Sequence, residues 1–411
     1  MITIHPREGA PPAGARVRVP AGTRLLPLAL LLAMTLIGVL ALKAGYNPSH
    51  GAQGDFVRFH WVTVEQFRQM PWPVFMQRME TASGPLFYAL LGSLPVEAGS
   101  GRALVLMLHL LSSLLLMALL RGRLSAGATA AVVLAFFVSP FQLGPALWGH
   151  PEALATLMAL LALGWRDRQG GAPMARWLLP LGVAVRQTGV ALVAVSVLDD
   201  LRRRRLVSAA ATLALTGAVL LVLVRTWGGL TPPTFRDHLM PSTRTLLAVV
   251  TMLAFGLCAW DPVNRRGEPA RWVARVLLLW PLLALAYNLT GPFERGGFLF
   301  SRLDALDAQR LPVSLASPLV MALALGWCWR SLRAQPWLVL QIAACAAVLA
   351  SSNVLYVKYV DHLFWPLLVT RFVAEPADAA SSARLRPAAG VQAALAWSGA
   401  HLLLVTLMYR A

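Results

Sequence analysis

Leu25-Leu-Pro-Leu-Ala-Leu-Leu-Leu-Ala-Met-Thr-Leu-Ile-Gly-Val-Leu-Ala-Leu42 decides the class of this chain, because 18 residues pass without a charge. As a helix rising about 1.5 Å per residue the run reaches about 27 Å, close to the roughly 30 Å of bilayer hydrocarbon. It is longer than a signal-peptide core, and Lys43-Ala-Gly-Tyr-Asn-Pro48 offers no small-residue cleavage site, so it reads as an uncleaved first span. The arginine-bearing residues 1–24 then lie on the cytoplasmic side by the positive-inside rule. Similar runs recur at Ala103–Leu120, Leu206–Val224, Val273–Leu289, Leu311–Leu325 and Trp337–Leu349. Only helices and closed barrels satisfy their backbone in hydrocarbon, and these runs are continuous where barrel strands alternate. The expected fold is an all-α polytopic transmembrane bundle.

Composition agrees. Charged residues make up 13% of the 411 and hydrophobic ones 57%, against about 25% charged in soluble domains. The net charge of +18 comes almost wholly from arginine, since lysine occurs only at Lys43 and Lys358. Arginines in cytoplasmic loops account for it without nucleic acid. Cys258, Cys328 and Cys345 lie in apolar runs with neither metal nor disulfide spacing.

Threading outward from the first span, residues 45–83 form an outer loop whose amphipathic stretches Phe56–Met70 and Pro73–Met79 suit interfacial helices. Gly84–Val96 is too short to span and is expected at the interface. The basic turns at Arg121–Arg123, Arg166–Arg168 and Asp199–Arg205 are cytoplasmic, which requires the chain between the last two to go out and return. That predicts two short helices with Arg186-Gln-Thr-Gly189 at the tip. Later outer loops fall at Trp227–Thr243, Gly291–Gln309 and Asn353–Asp361. About 13 crossings result, the last within 389–411 after a cytoplasmic loop at 374–388, so that 25–373 forms the transmembrane body.

Ionisable residues near membrane depth are costly and mark function by default. On this threading Asp55, His60, Glu80, His150, Glu152, Arg186, Arg236, His238, Arg295, Arg302, Lys358 and His362 gather on the outer side. Arg186, inside the apolar Leu178–Val197, demands a buried partner or a role. Glu152 opens a helix, where an acid also complements the helix dipole. Asp55 also suits a solvated loop, and Lys358 and His362 suit snorkelling. Asn288-Leu-Thr290 matches a glycosylation acceptor but sits at a span end.

Several segments carry a resemblance. Gly54-Asp55-Phe-Val-Arg-Phe59-His60 is followed by Thr81-Ala-Ser-Gly84-Pro85-Leu-Phe-Tyr88, then by Arg102 opening a span. Leu147-Trp-Gly-His-Pro-Glu152, Ala184-Val-Arg186-Gln187-Thr188 and Trp227-Gly-Gly-Leu-Thr-Pro-Pro-Thr-Phe-Arg-Asp-His238 follow in order. The chain resembles the GT-C superfamily of polyprenyl-phosphate-sugar glycosyltransferases, nearest the dolichyl-phosphate-glucose α-1,2-glucosyltransferase branch. The resemblance covers about residues 25–240 motif by motif, and Lys358-Tyr-Val-Asp-His-Leu-Phe-Trp-Pro366 resembles the opening of a late GT-C span. Gly189 stands where that branch has Asn, Asp55 stands alone where it has two acids, and Gly84-Pro85 replaces a double proline.

The resemblance implies a GT-C-type bundle and an inverting hexosyl transfer. Asp55 would be the catalytic base. Arg186, Gln187, His60, Glu152, Arg236, His238 and Lys358 would bind the donor phosphate and substrate. The implied partners are a polyprenyl-phosphate sugar, a lipid-linked glycan or other hydroxyl acceptor, and membrane lipid. No cofactor is called for, and the need for a divalent metal stays open. The arginine-rich, lysine-poor composition points to a bacterial inner membrane with the site facing the periplasm. A lipid-sugar transporter or flippase and a noncatalytic scaffold of glycan assembly are the competing classes. No internal repeat of the transporter kind is visible, while the single acid and Gly189 keep the scaffold open.

Overall fold

The computed structural model describes residues 22–46, 52–121, 124–168, 173–238, 240–258, 269–293, 295–296, 299–352, 354–355, 357–373, 394–395 and 397–399. These are helical almost throughout. The expected tail 1–24, the loop 374–388 and the last span lie largely outside the described residues.

The first span is α1 (Gly22–Lys43). The segment expected as an outer loop folds as α2 (Ala52–Asp55), a π-helical turn at Phe56–His60, α3 (Trp61–Gln69) and α4 (Trp72–Arg78). Next come α5 (Pro85–Gly92) and α6 (Ala98–Leu120), the latter started by a Glu97/Ser100 capping box. The apolar stretch after the Arg121–Arg123 turn is broken at Ser139-Pro140 into α7 (Ala126–Val138) and α8 (Pro140–Leu147), bent by 52°. Proline at the first position of α8 explains the break, since its ring cannot continue the preceding ladder.

α9 (Glu152–Arg168), α10 (Pro173–Val185), α11 (Val190–Arg202) and α12 (Leu206–Trp227) follow. The pair expected between the two basic turns is therefore present as α10 and α11. The second half holds α13 (Thr243–Cys258), α14 (Pro269–Tyr287), α15 (Leu299–Ala308), α16 (Ala316–Ala334), α17 (Pro336–Leu349) and α18 (Val357–Val373). Two two-residue strands, Arg295–Gly296 and Val354–Leu355, pair in parallel and bring together two loops expected on one face.

Among the described residues four helices are long and apolar enough to cross a membrane: Leu25–Lys43, Ala98–Leu120, Leu206–Trp227 and Pro269–Tyr287. The bent α7–α8 pair makes up to five, fewer than the 13 crossings expected. Glu152–Gly164, Thr243–Cys258 and Pro336–Leu349 are apolar but shorter; the first two are mostly buried in the bundle, and the third leaves Val339 and Leu340 exposed. α1, α12 and α14 expose leucines such as Leu32, Leu221 and Leu278, as helices facing lipid would. α18 is the opposite case. Val360, Leu363, Phe364, Trp365, Leu367, Leu368 and Val369 are all buried, so every face is covered by neighbours.

A polar network fixes α15. Arg244 Nη1 donates to Asp304 Oδ2 at 2.7 Å, with Tyr287 and Ser317 hydroxyls donating to the same carboxylate. The Asn288 amide donates to the Ala284 and Ser314 carbonyls, so this sequon asparagine is held inside the fold.

Candidate functional site

Five segments far apart in sequence converge at one end of the bundle, the last two acting as a pair. The first is the outer-loop helix. Its π turn inserts extra backbone directly after Asp55 and ends on His60, which is buried. Such turns recur at functional sites. Asp55 keeps a side chain 40% exposed.

The second segment is Thr81–Tyr88. Gly84 lies so close to the α10 chain that any side chain would strike the Ala184 carbonyl. Its amide donates to Val185 O at 3.0 Å. This contact locks the segment to the residue before Arg186. Tyr88 shares hydrogen bonds with His60 Nδ1 at 2.6 Å and with Thr81 Oγ1 at 3.0 Å.

The third is the turn into α9. Gly149 takes a left-handed φ of 63°, and a Cβ there would come within 2.7 Å of the Phe56 ring. Arg102 pins the turn by donating Nε to Leu147 O at 2.6 Å and by lying 3.9 Å from the Trp148 ring. The turn delivers His150, whose ring sits 4.2 Å from that of His60, and Glu152 in the first turn of α9.

The fourth is the pair formed by the α10–α11 tip and the start of α18. Arg186 is extended, with φ −147° and ψ 114°, and so interrupts the helix and projects into the cluster. Its Nη1 donates to Ser83 Oγ at 2.5 Å, its Nη2 lies 3.2 Å from Glu152 Oε1, and it stacks 4.4 Å over Tyr359. Lys358 Nζ lies 3.5 Å from Asp55 Oδ2 and 4.0 Å from Glu152 Oε1. His362, one turn on, shares a 2.9 Å hydrogen bond with Thr156.

Asp55, Lys358, Glu152 and Arg186 thus form a charge-alternating chain walled by His60, His150 and Tyr359. Burial, then His150 and the nearby cations, hold the His60 imidazole well below the usual histidine range. The wall it forms is neutral. The cluster sits at the starts of α6, α9, α11 and α18, whereas Arg121, Arg168 and Arg202–Arg205 lie at the ends of α6, α9 and α11. It is therefore opposite the basic turns.

Five expected residues, Asp55, His60, Glu152, Arg186 and Lys358, come together. Gln187 follows Arg186 in a 3₁₀ turn, its amide nitrogen buried without a hydrogen-bond partner. Arg236 does not join them. It folds onto the Trp227 carbonyl and caps the end of α12, where an exposed arginine complements the dipole. His238 closes the 3₁₀ turn Pro233–His238, and its side chain is outside the described set. Glu80 and Arg302 are exposed on the surface. Among the described residues no three His, Cys, Asp or Glu side chains gather as a metal set would.

Sequence reasoning missed Ser83, Tyr88 and Asp361 as contributors. Asp361 is fully buried and accepts from Gln142 Nε2 at 2.7 Å, Trp365 Nε1 at 3.2 Å and Trp397 Nε1 at 2.6 Å. It anchors the first turn of α18 to α8 and to the C-terminal segment, and so fixes Lys358 and His362. A buried acid one turn from a lone lysine was the available signal.

No protein-family model, curated protein or solved structure matches this chain at a significant level.

Proposed function

We propose that this protein is an integral membrane glycosyltransferase that moves a hexose from a polyprenyl-phosphate donor to a hydroxyl of a lipid-linked glycan or similar acceptor. The observation that carries the reading is the Asp55–Lys358–Glu152–Arg186 chain at the helix starts. A sugar phosphodiester needs three things there: a base for the acceptor proton, cations for the departing phosphate, and apolar walls for the lipid. Asp55 is the most exposed acid of the chain and fits the base. Arg186 and Lys358 are the cations, and the leucine-rich faces of neighbouring helices are the walls.

In this mechanism the acceptor oxygen attacks the anomeric carbon from the side opposite the phosphate, and its proton passes to Asp55. The bond from the anomeric carbon to the phosphate oxygen breaks, its electron pair staying on the phosphate. Charge on that phosphate rises from one to two, which is the change Arg186 and Lys358 are placed to stabilise. The anomeric configuration inverts. Placement opposite the arginine-rich turns supports a site facing the periplasm of a bacterial inner membrane.

The test is transfer by the full chain in proteoliposomes, offered a panel of radiolabelled polyprenyl-phosphate hexoses. Asp55→Asn should lower transfer by about 10²–10⁴-fold while leaving the fold intact. Full activity in that variant would remove Asp55 from its role.

A further inference from the structure

Glu152 is the charged member of the cluster that the transfer chemistry leaves without work. Its carboxylate is 2% exposed, yet neither oxygen accepts a hydrogen bond from any described residue. Arg186 Nη2, Lys358 Nζ and His150 Nδ1 approach to 3.2, 4.0 and 3.8 Å, close enough for attraction, and none of the three makes a hydrogen bond to it. Among the described residues Arg186 Nε beside it is likewise buried without an acceptor, and the next two residues repeat the pattern at Gln187 Nε2 and Thr188 Oγ1.

Unused acceptors and unused donors therefore occur together in a buried place. A carboxylate can accept about four hydrogen bonds, and a buried charged group left unsatisfied is expensive. A phosphate offers acceptors alone. It would satisfy the arginine but repel Glu152. A sugar ring offers both, since each hydroxyl donates one hydrogen bond and accepts others.

We infer that Glu152 is the sugar-recognition residue of this site. Two neighbouring hydroxyls of the donor hexose donate to Oε1 and Oε2, and one of them accepts from Arg186 Nε. The ligand class is a hexose bearing a free vicinal diol. Charge supports this division. The ring is neutral and adds no like charge beside Glu152, while the phosphate's charge falls to Arg186 and Lys358. This rests on the proposed transfer for the identity of the ligand, not for the existence of the subsite.

The test is equilibrium binding to the full chain in detergent, so that it does not require turnover. The probes are polyprenyl-phosphate glucose, mannose and galactose, compared with polyprenyl methyl phosphate, which keeps the single phosphodiester charge but lacks the ring. At least one sugar lipid should bind the wild type about tenfold to a hundredfold more tightly than the methyl ester. Glu152→Gln should lose most of that difference while still binding the methyl ester. Glu152→Asp keeps the charge and retracts it by one methylene; it should lose the difference in part, and it carries the test if the glutamine variant fails to fold. Equal binding of ring and methyl ester by the wild type would overturn the inference, as would a sugar preference that survives in both variants. Sugar-dependent binding without any transfer would instead sink the transferase and leave the subsite standing.

Discussion

Arg186→Met removes the cation from the buried pair while keeping much of the side chain's bulk. Arg186 and Glu152 side chains are 6% and 2% exposed and 3.2 Å apart. At an effective dielectric of about 20 that separation corresponds to about 5 kcal/mol. Relief of guanidinium desolvation offsets part of it, and Lys358 still attracts Glu152 from 4.0 Å. The substitution should therefore cost about 3 kcal/mol, near the low end for breaking a buried pair. Arg186→Met/Glu152→Gln removes both charges and should recover most of that loss. Unfolding in mixed micelles, followed by tryptophan fluorescence, measures both. Stability should return in the double variant while transfer does not, because the phosphate cation is still missing. A single variant as stable as the wild type would refute the pairing, and so would a double variant no better than the single.

Gly84→Ala pushes a methyl group into the Ala184 carbonyl. It should cost about 1–3 kcal/mol by overpacking and reduce transfer by shifting Ser83 from Arg186; Gly127→Ala, which meets nothing within 4 Å, serves as the melting-temperature control. Stability should also fall as pH drops. The folded His60 resists protonation, whereas an unfolded histidine titrates near about 6.5, so between pH 7.5 and 5.5 the unfolded state gains about 1.4 kcal/mol from this group. His60→Gln should flatten the pH dependence of the melting temperature by that share, and an unchanged slope would contradict the buried neutral imidazole.

Much of the site could be read before the fold because membrane depth makes charge conspicuous. Arg186 stood out inside Leu178–Val197, and the parity of crossings between two basic turns placed it at a hairpin tip, where the structure has it. Lys358 was marked by the threading as an ionisable residue on the outer side, where snorkelling explained it equally well. Glu152 was harder. A helix-opening acid has a dipole reading that needs no partner, and only the approach of Arg186 and Lys358 shows otherwise. Asp361 was harder for a different reason: Trp365 lies one turn on, but Gln142 and Trp397, which also donate to it, are 219 and 36 residues away. Arg236 misled because its partner is local: the Trp227 carbonyl nine residues back satisfies it. The spans divide the same way. The uncharged runs Leu25–Leu42, Ala103–Leu120 and Leu206–Val224 inside α1, α6 and α12 are visible in isolation, while Glu152–Gly164 is a short helix whose burial depends on its neighbours.

In the proposed reaction the bond from the anomeric carbon to the phosphate breaks and a bond from that carbon to the acceptor oxygen forms, with Asp55 taking the acceptor's proton. A single-turnover assay in proteoliposomes tests it most directly, using polyprenyl phosphate labelled in the hexose, an acceptor lipid, and Asp55→Asn beside the wild type. The predicted result is label on the acceptor with inverted anomeric configuration, reduced by about 10²–10⁴-fold in the variant. Label that crosses the bilayer still attached to polyprenyl phosphate, at equal rates in both proteins, would contradict the claim and identify a carrier instead.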